Sequence, residues 1–177
     1  MNAVIMAGGF GTRLRPITCN VPKPMVPLAN MPMMEHIVNL LKKYDLKQIV
    51  SVLYFQPEVI TKHFGDGSDF GIRMDYVMAT ADYGTAGSIK NSEEYLKGKR
   101  FIIISGDVLT DFDLSAAIRF HEERKAMATI VLTRVSNPLE YGVVITAADG
   151  KIERFLEKPS WGEVFSDTIN TGIYILE

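Results

Sequence analysis

Short unbroken apolar runs alternate along this chain with stretches whose apolar residues recur every three or four positions. Ala3–Met6 is continuous and stops at Gly8-Gly9, the pattern of a strand buried on both faces. Met33–Tyr44 predicts a helix, because Met34, Ile37, Val38, Leu41 and Tyr44 share a face and Pro32 suits its first turn. Gln48–Leu53 predicts a second strand, and Pro57–Phe64 a short helix stopped by Gly65-Asp66-Gly67. Arg73–Met78 alternates as a strand does, Ala86–Leu96 predicts one helix carrying Ile89, Tyr95 and Leu96, and Phe101–Ile104 is again a buried strand. Asp113 is placed to cap a helix through Lys125 that turns Leu114, Ala117, Ile118 and His121 inward. Strands follow at Thr129–Arg134, Val143–Thr146, Lys151–Phe155 and Ile169–Leu176, with Asp149-Gly150 as a hairpin turn.

Strand–helix–strand repetition with continuous apolar strands predicts the α/β class. The expected form is a Rossmann-like three-layer α/β/α arrangement, with a mostly parallel central sheet and an added antiparallel hairpin. Residues 1–177 read as one domain, with no internal repeat and no low-complexity linker. One segment breaks the rhythm: Gly8 to Pro32 is a long loop holding five of the eight prolines, and loops of that length in a domain are usually functional. In open parallel sheets the ligand crevice lies beyond the carboxyl ends of the strands. Three chemically loaded segments sit at such ends: Gly8–Lys23, Asp107, and Glu157-Lys158. Segments far apart in sequence are therefore expected to converge on one site.

Hydrophobic residues at 47% and charged residues at 23% describe a globular chain rather than a disordered one. No apolar run approaches the ~20 residues of a membrane span, and no leader pattern opens the chain, so the expected location is cytoplasmic, with no membrane partner. Cys19 is the single cysteine; it builds no disulfide framework and has no histidine near it in sequence to activate it. His36, His63 and His121 are scattered and predict no zinc cluster. The nine methionines read as core filler, although Met31, Met33 and Met34, at the entry to the first helix, are also placed to line a pocket. A net charge of −2 argues against a nucleic-acid partner. Yet no acidic residue occurs before Glu35, while Arg13, Arg15 and Lys23 do, which fits a small anionic ligand. A homo-oligomer stays open.

Gly8-Gly9-Phe10-Gly11-Thr12-Arg13 follows the first strand, and glycines there let backbone N–H groups approach phosphates. The run is not the dinucleotide fingerprint, since Leu14 stands in place of the third glycine, and Leu53-Tyr54-Phe55 supply no acidic residue after the second strand. A dehydrogenase is thereby disfavoured. Nor does a Gly-Lys-Ser/Thr close a Walker loop. The Arg13 guanidinium and the Lys23 ammonium are the pair needed to hold a triphosphate and neutralise charge in phosphoryl transfer.

The string GGFGTRLRPIT, followed by PKPMVPLANMPM, closely resembles the signature of the sugar-1-phosphate nucleotidyltransferases. The resemblance continues in order through Gly84-Thr85-Ala86-Gly87, Ser105-Gly106-Asp107, Tyr141-Gly142, Glu157-Lys158-Pro159 and Asn170-Thr171-Gly172, across essentially the whole chain. It implies an enzyme that joins a nucleoside triphosphate to a sugar 1-phosphate and releases pyrophosphate. Gly8, Gly9, Gly11 and Thr12 would wrap the phosphates, with Arg13 on the leaving pyrophosphate and Lys23 on the α-phosphate and the sugar phosphate. Gly87 would lie against the base, and Asp107 would bind Mg²⁺. Lys158 would hold the sugar phosphate, and Gly142, Glu157, Asn170 and the neighbouring Gly172 would surround the sugar hydroxyls. From spacing alone Asp107 also fits a turn former, and Glu157-Lys158 a surface ion pair; Asp111 and Asp113 read as caps, and Arg15 as surface charge.

Within the family, VPKPMVPLANMPM, Gly-Thr-Ala-Gly and TRVSNPLEYGVVIT look most like mannose-1-phosphate guanylyltransferases, which implies GTP and mannose 1-phosphate. Glucose-1-phosphate thymidylyl- and adenylyltransferases share much of the frame. A non-catalytic regulatory subunit would be expected to lack Arg13, Lys23 or Asp107, and all three are present. Family members continue beyond a strand such as the last one here, and a later aspartate completes their Mg²⁺ site, so the resemblance also implies a C-terminally incomplete domain.

Overall fold

β1 (Asn2–Ala7) is buried along almost its whole length and is paired on both edges, so the other elements are best located from it. The computed structural model describes residues 1–81, 84–164 and 166–177 of the chain. After β1, three 3₁₀ turns (Thr12–Leu14, Ile17–Cys19 and Lys23–Met25) lead to a two-stranded sheet of β2 (Pro27–Leu28) and β3 (Met31–Pro32). Then follow α1 (Met33–Lys43), β4 (Gln48–Leu53), α2 (Pro57–Phe64), β5 (Arg73–Met78), α3 (Gly84–Lys90), α4 (Glu93–Leu96), β6 (Phe101–Ser105) and α5 (Leu114–Arg124). β7 (Ala128–Arg134), β8 (Gly142–Thr146), β9 (Ile152–Glu157) and β10 (Thr168–Leu176) close the chain. It divides into two units, Met1–Thr129 with Tyr174–Glu177, and Ile130–Ile173.

In the first unit the strands run β5-β4-β1-β6, all parallel, with Val4 level with Val50 on one side and Ile103 on the other. One face is a cluster of Val4, Val50, Val52, Val77, Phe101 and Ile103 with Leu96, against which Ile89, Tyr95, Tyr174 and Leu176 pack. The alternate positions, among them Ile5, Ile49, Leu53 and Ile102, are just as buried, so the sheet is covered on both faces. From β1 the chain adds β4 and β5 on one side and then β6 on the other. That reversal between β1 and β6 is where a doubly wound sheet opens a crevice at its carboxyl edge.

In the second unit β8 and β9 form the expected antiparallel hairpin, with Gly142 opposite Glu157 and Thr146 opposite Ile152. Its turn is set by Asp149, whose Oδ1 accepts from the Lys151 N–H at 3.0 Å, and by Gly150 at φ 86°. β8 also pairs with β10, Val143 opposite Ile169, and β7 pairs with β10 as well. The α/β class, with a parallel sheet in the first unit and the added antiparallel β8–β9 hairpin, is as the sequence pattern implied.

Two local expectations are corrected. The helix expected over Ala86–Leu96 is two helices, because Ser92 caps rather than continues: its N–H donates to the Ile89 carbonyl at 2.9 Å, and its own carbonyl accepts from Tyr95 at 3.0 Å. The segment read as one long loop from Gly8 to Pro32 contains the β2–β3 hairpin, whose central residues Ala29 and Asn30 take φ of 50° and 63°. Among the described residues, no helix is long and apolar enough to cross a membrane.

His121, fully buried on α5, is held at both ring nitrogens. Nε2 is 3.1 Å from Glu177 Oε1, to which Nε2–H donates, and Nδ1 shares a 2.8 Å hydrogen bond with Thr129 Oγ1. Arg100 joins Glu177 at 2.7 Å and also pairs with Glu122. The Arg100 hydrogen bond, with help from His121, holds the Glu177 carboxyl below the usual range despite some desolvation. A depressed carboxylate pKa contributes stability above the unfolded value and loses it as pH falls through the folded one. The expected result for Glu177→Gln is a lower melting temperature than the parent at pH 7 and a gap that closes on acidification to pH 3, read by thermal unfolding at both pH values. A gap independent of pH would contradict the ionic role.

Candidate functional site

A cleft of about 430 Å³ opens at the carboxyl ends of β1, β4, β5 and β6. Its floor is the run from Met6 to Thr12; its walls are Leu53 and Tyr54 at the end of β4, Ala79 and Ala81 after β5, Gly84, Thr85 and Ser88 on α3, and Ser105 with Asp107 at the end of β6. Lys23 and Pro24 close one side. The predicted Gly8, Gly9, Gly11, Thr12, Lys23 and Asp107 therefore share one cavity. Arg13 is exposed in the turn beside it, and Gly87 lies on α3 next to Ser88, neither of them in the lining.

The glycine run turns where Gly11 adopts φ 62°. A Cβ there would lie 3.0 Å from both Lys23 Cβ and Thr18 Cγ2, so the position needs glycine for its backbone angle and for its closeness to neighbours. The N–H groups of Gly9, Phe10 and Gly11 donate to no acceptor among the described residues. Consecutive free N–H donors at a positive-φ turn are an anion-binding arrangement. Phe10 packs its ring on Tyr54 at 5.5 Å and Phe55 at 5.3 Å, fastening the run to the end of β4.

Lys23 Nζ lies 2.5 Å from Asp107 Oδ2, and both side chains are just over a quarter exposed. The two charges come from opposite sides of the β1/β6 reversal: Lys23 opens a 3₁₀ turn in the loop after β1, and Asp107 follows β6, where the Gly106 N–H donates to the Met6 carbonyl at 2.8 Å. No ion pair is seen for Arg13 or Arg15 among the described residues, and both are exposed.

The remaining predicted residues belong to the second unit. Gly142, at the start of β8, faces Glu157, and a Cβ on it would meet Phe155 Cζ at 2.6 Å and Glu157 Oε2 at 3.0 Å. The carboxylate thus lies over a surface kept bare by glycine. Lys158 leaves β9 at φ 44°, its N–H donating to the Tyr141 carbonyl at 3.0 Å. Asn170 Oδ1 accepts from the Gly172 N–H at 2.9 Å, and Gly172 has φ 77°. Since Ile169 is level with Val143, antiparallel pairing carries Asn170 toward the Gly142 end of β8.

The family model for nucleotidyl transferases matches residues 2–177. The chain belongs to the nucleotidyl transferase family. It is 40% identical over 190 residues to a UTP–glucose-1-phosphate uridylyltransferase of Synechocystis, covering 100% of this chain and 49% of that protein. It is 35% identical over 177 residues to a mannose-1-phosphate guanylyltransferase of Mycobacterium tuberculosis, with 100% and 49% covered. This nucleotidyl transferase chain spans about half the length of the curated relatives it matches. Among solved structures, a Bacillus anthracis protein provisionally named a glucose-1-phosphate thymidylyltransferase, in complex with a sucrose, aligns at TM-score 0.91 and 29% identity, covering 100% of this chain and 71% of that one.

No group of three or more metal-type side chains occurs among the described residues. Asp107 still fits Mg²⁺, an ion that commonly takes one or two carboxylates and completes its shell with phosphate oxygens, because its carboxylate borders the free donors of the glycine run. Sequence reasoning assigned no role to Tyr54, Ala79, Thr85 or Ser88. Their signal was position, since Tyr54 and Ala79 directly follow parallel strands. Met31, Met33 and Met34 do not line the cleft, and Met34 is fully buried. His36 bonds to the Leu28 carbonyl at 2.9 Å and His63 to Glu35 at 2.9 Å, away from it. For Gly11→Ala the expected cost is about 1–3 kcal/mol of unfolding free energy, the range for a non-glycine residue in the left-handed region, measured by urea denaturation. An unchanged midpoint would mean that the turn relaxes freely.

Proposed function

We propose that this chain carries the catalytic core of a sugar-1-phosphate nucleotidyltransferase whose substrates are GTP and mannose 1-phosphate. A phosphate oxygen of the sugar 1-phosphate attacks the α-phosphorus in line, the bond from that phosphorus to its bridging oxygen breaks, and pyrophosphate leaves. The attacking phosphate is already anionic at neutral pH, so no general base is required. Positioning and charge neutralisation carry the catalysis.

The observation that carries this reading is the Lys23–Asp107 pair at the edge of a cleft floored by free backbone N–H donors. The donors of Gly9 and Gly11, with Gly8 and Thr12 beside them, take the triphosphate, and Arg13 meets the departing pyrophosphate. Lys23 exchanges its carboxylate partner for the α-phosphate and the incoming sugar phosphate. Asp107, so released, and the nucleotide's own oxygens would hold Mg²⁺, which supplies neutralisation of the charge growing on the leaving group. Gly87 on α3 is assigned to the base. In the second unit Lys158, Glu157 and Asn170, with the bare surface at Gly142 and the Gly172 turn, are assigned to the sugar 1-phosphate by the resemblance to the family.

The choice of GTP and mannose 1-phosphate rests on the loop and hairpin segments described above and on the guanylyltransferase names of several relatives. The Synechocystis relative, 40% identical, favours UTP and glucose 1-phosphate as the second reading. Pyrophosphate release measured over a grid of nucleoside triphosphates and sugar 1-phosphates with Mg²⁺ separates the two. Activity is expected with GTP and mannose 1-phosphate, and Lys23→Ala is expected to lower it by about 10²-fold or more, as for loss of one transition-state contact. Activity with UTP and glucose 1-phosphate alone would transfer the mechanism to the second pair. Binding of nucleotide sugar with no turnover of any pair would reject catalysis.

A further inference from the structure

Thr18 does not line the cleft, yet it is the most buried polar side chain of the proline-rich loop, with 1% of its surface exposed. Its hydroxyl donates to the Gly11 carbonyl at 2.7 Å. That carbonyl also accepts from the Leu14 N–H at 2.9 Å, so two donors pin the peptide joining Gly11 to Thr12. In a trans peptide the N–H points opposite to the C=O. A Gly11 carbonyl held back against Thr18 therefore turns the Thr12 N–H the other way, and Gly11 and Thr12 both border the cleft. Gly11 has no Cβ to resist the change in its ψ, 27° here, that would turn this peptide over. A flipped peptide would aim a carbonyl oxygen where a phosphate is to be held.

We propose that Thr18 is a positioning residue for the proposed reaction: its hydroxyl locks the Gly11–Thr12 peptide with the N–H, not the carbonyl, available to the phosphate chain. The methyl group has a separate task. Thr18 Cγ2 and Lys23 Cβ flank Gly11 at the same distance, 3.0 Å from where a Cβ would lie, so the side chain also keeps the turn seated next to Lys23. The hydroxyl thus governs orientation and the methyl governs packing. This inference rests on the nucleotidyl transfer reading and adds to it the element that sets its anion site.

Thr18→Val keeps the shape and removes the hydrogen bond. Binding of inorganic tripolyphosphate, which carries only the phosphate chain, and of guanosine, which carries none, is measured by calorimetry on the full chain, together with melting temperature. Thr18→Val is expected to weaken tripolyphosphate by about tenfold, the scale of one hydrogen bond, and to leave guanosine unchanged; Thr18→Ser is expected to bind tripolyphosphate as the parent does. Equal weakening of both ligands would assign Thr18 a merely structural role and overturn the proposal. Should Thr18→Val not fold, Thr18→Ser and Thr18→Ala make the same comparison, and equal tripolyphosphate affinity in those two would overturn it. Parent protein that binds no tripolyphosphate would overturn the underlying reading as well, whereas parent and Thr18→Val binding it equally would overturn only the role of Thr18.

Discussion

The first unit depends on the parallel pairing of β1 with β4 on one edge and β6 on the other. A strand buried on both faces and bonded on both edges has no free backbone group except at its ends. The carboxyl end of β1 is where the chain is released, next to the end of β6 and within reach of the end of β4. Because the connection order reverses there, no crossover covers that edge, and a cleft results without any strand being bent to make one. The glycine run leaves β1 directly into it, and Asp107 arrives from β6 as Lys23 arrives from the loop. Site and sheet share one cause.

The electrostatics of the cleft follow from the same geometry. Lys23 and Asp107 neutralise each other at a spot where each is partly withdrawn from water, and neither charge would be comfortable there alone. An anionic ligand and a cation arriving together can replace both partners at once, whereas either one alone strands a charge. On the proposed function, the pair therefore ties the two arrivals to each other.

Elements specified by nearby residues were legible in the sequence. The continuous runs of β1 and β6, the Asp113 cap whose Oδ1 accepts from Ala116 N–H at 3.1 Å, and the Asp149-Gly150 turn all carry their own signal. The β2–β3 hairpin was hidden because Pro27 and Pro32, paired across it, are residues that normally speak against a strand, and because Ala29 takes a positive φ that its side chain does not advertise. The break after Lys90 was hidden by a helical pattern running through Ser92. Within the candidate site, the glycine run, Lys23 and Asp107 were legible as motif, and their convergence was legible from their places at the carboxyl ends of parallel strands; the direct Lys23–Asp107 ion pair was not, since it depends on how the loop after β1 folds back. Thr85 and Ser88 were illegible as wall residues because hydroxyls on a short helix are common everywhere.

Arg13 and Arg15 stand exposed in a segment with no acidic residue before Glu35, while the third cation of the loop, Lys23, is compensated. The two kinds of cation work over different distances. An uncompensated exposed guanidinium projects its field about 8–10 Å into physiological salt before ions screen it, and a paired ammonium projects almost none. On the proposed function, guidance of the anionic substrate toward the cleft falls to the arginines and its retention to Lys23 and the backbone donors. Raising ionic strength would accordingly slow the arrival of such a ligand more than it would hasten its departure.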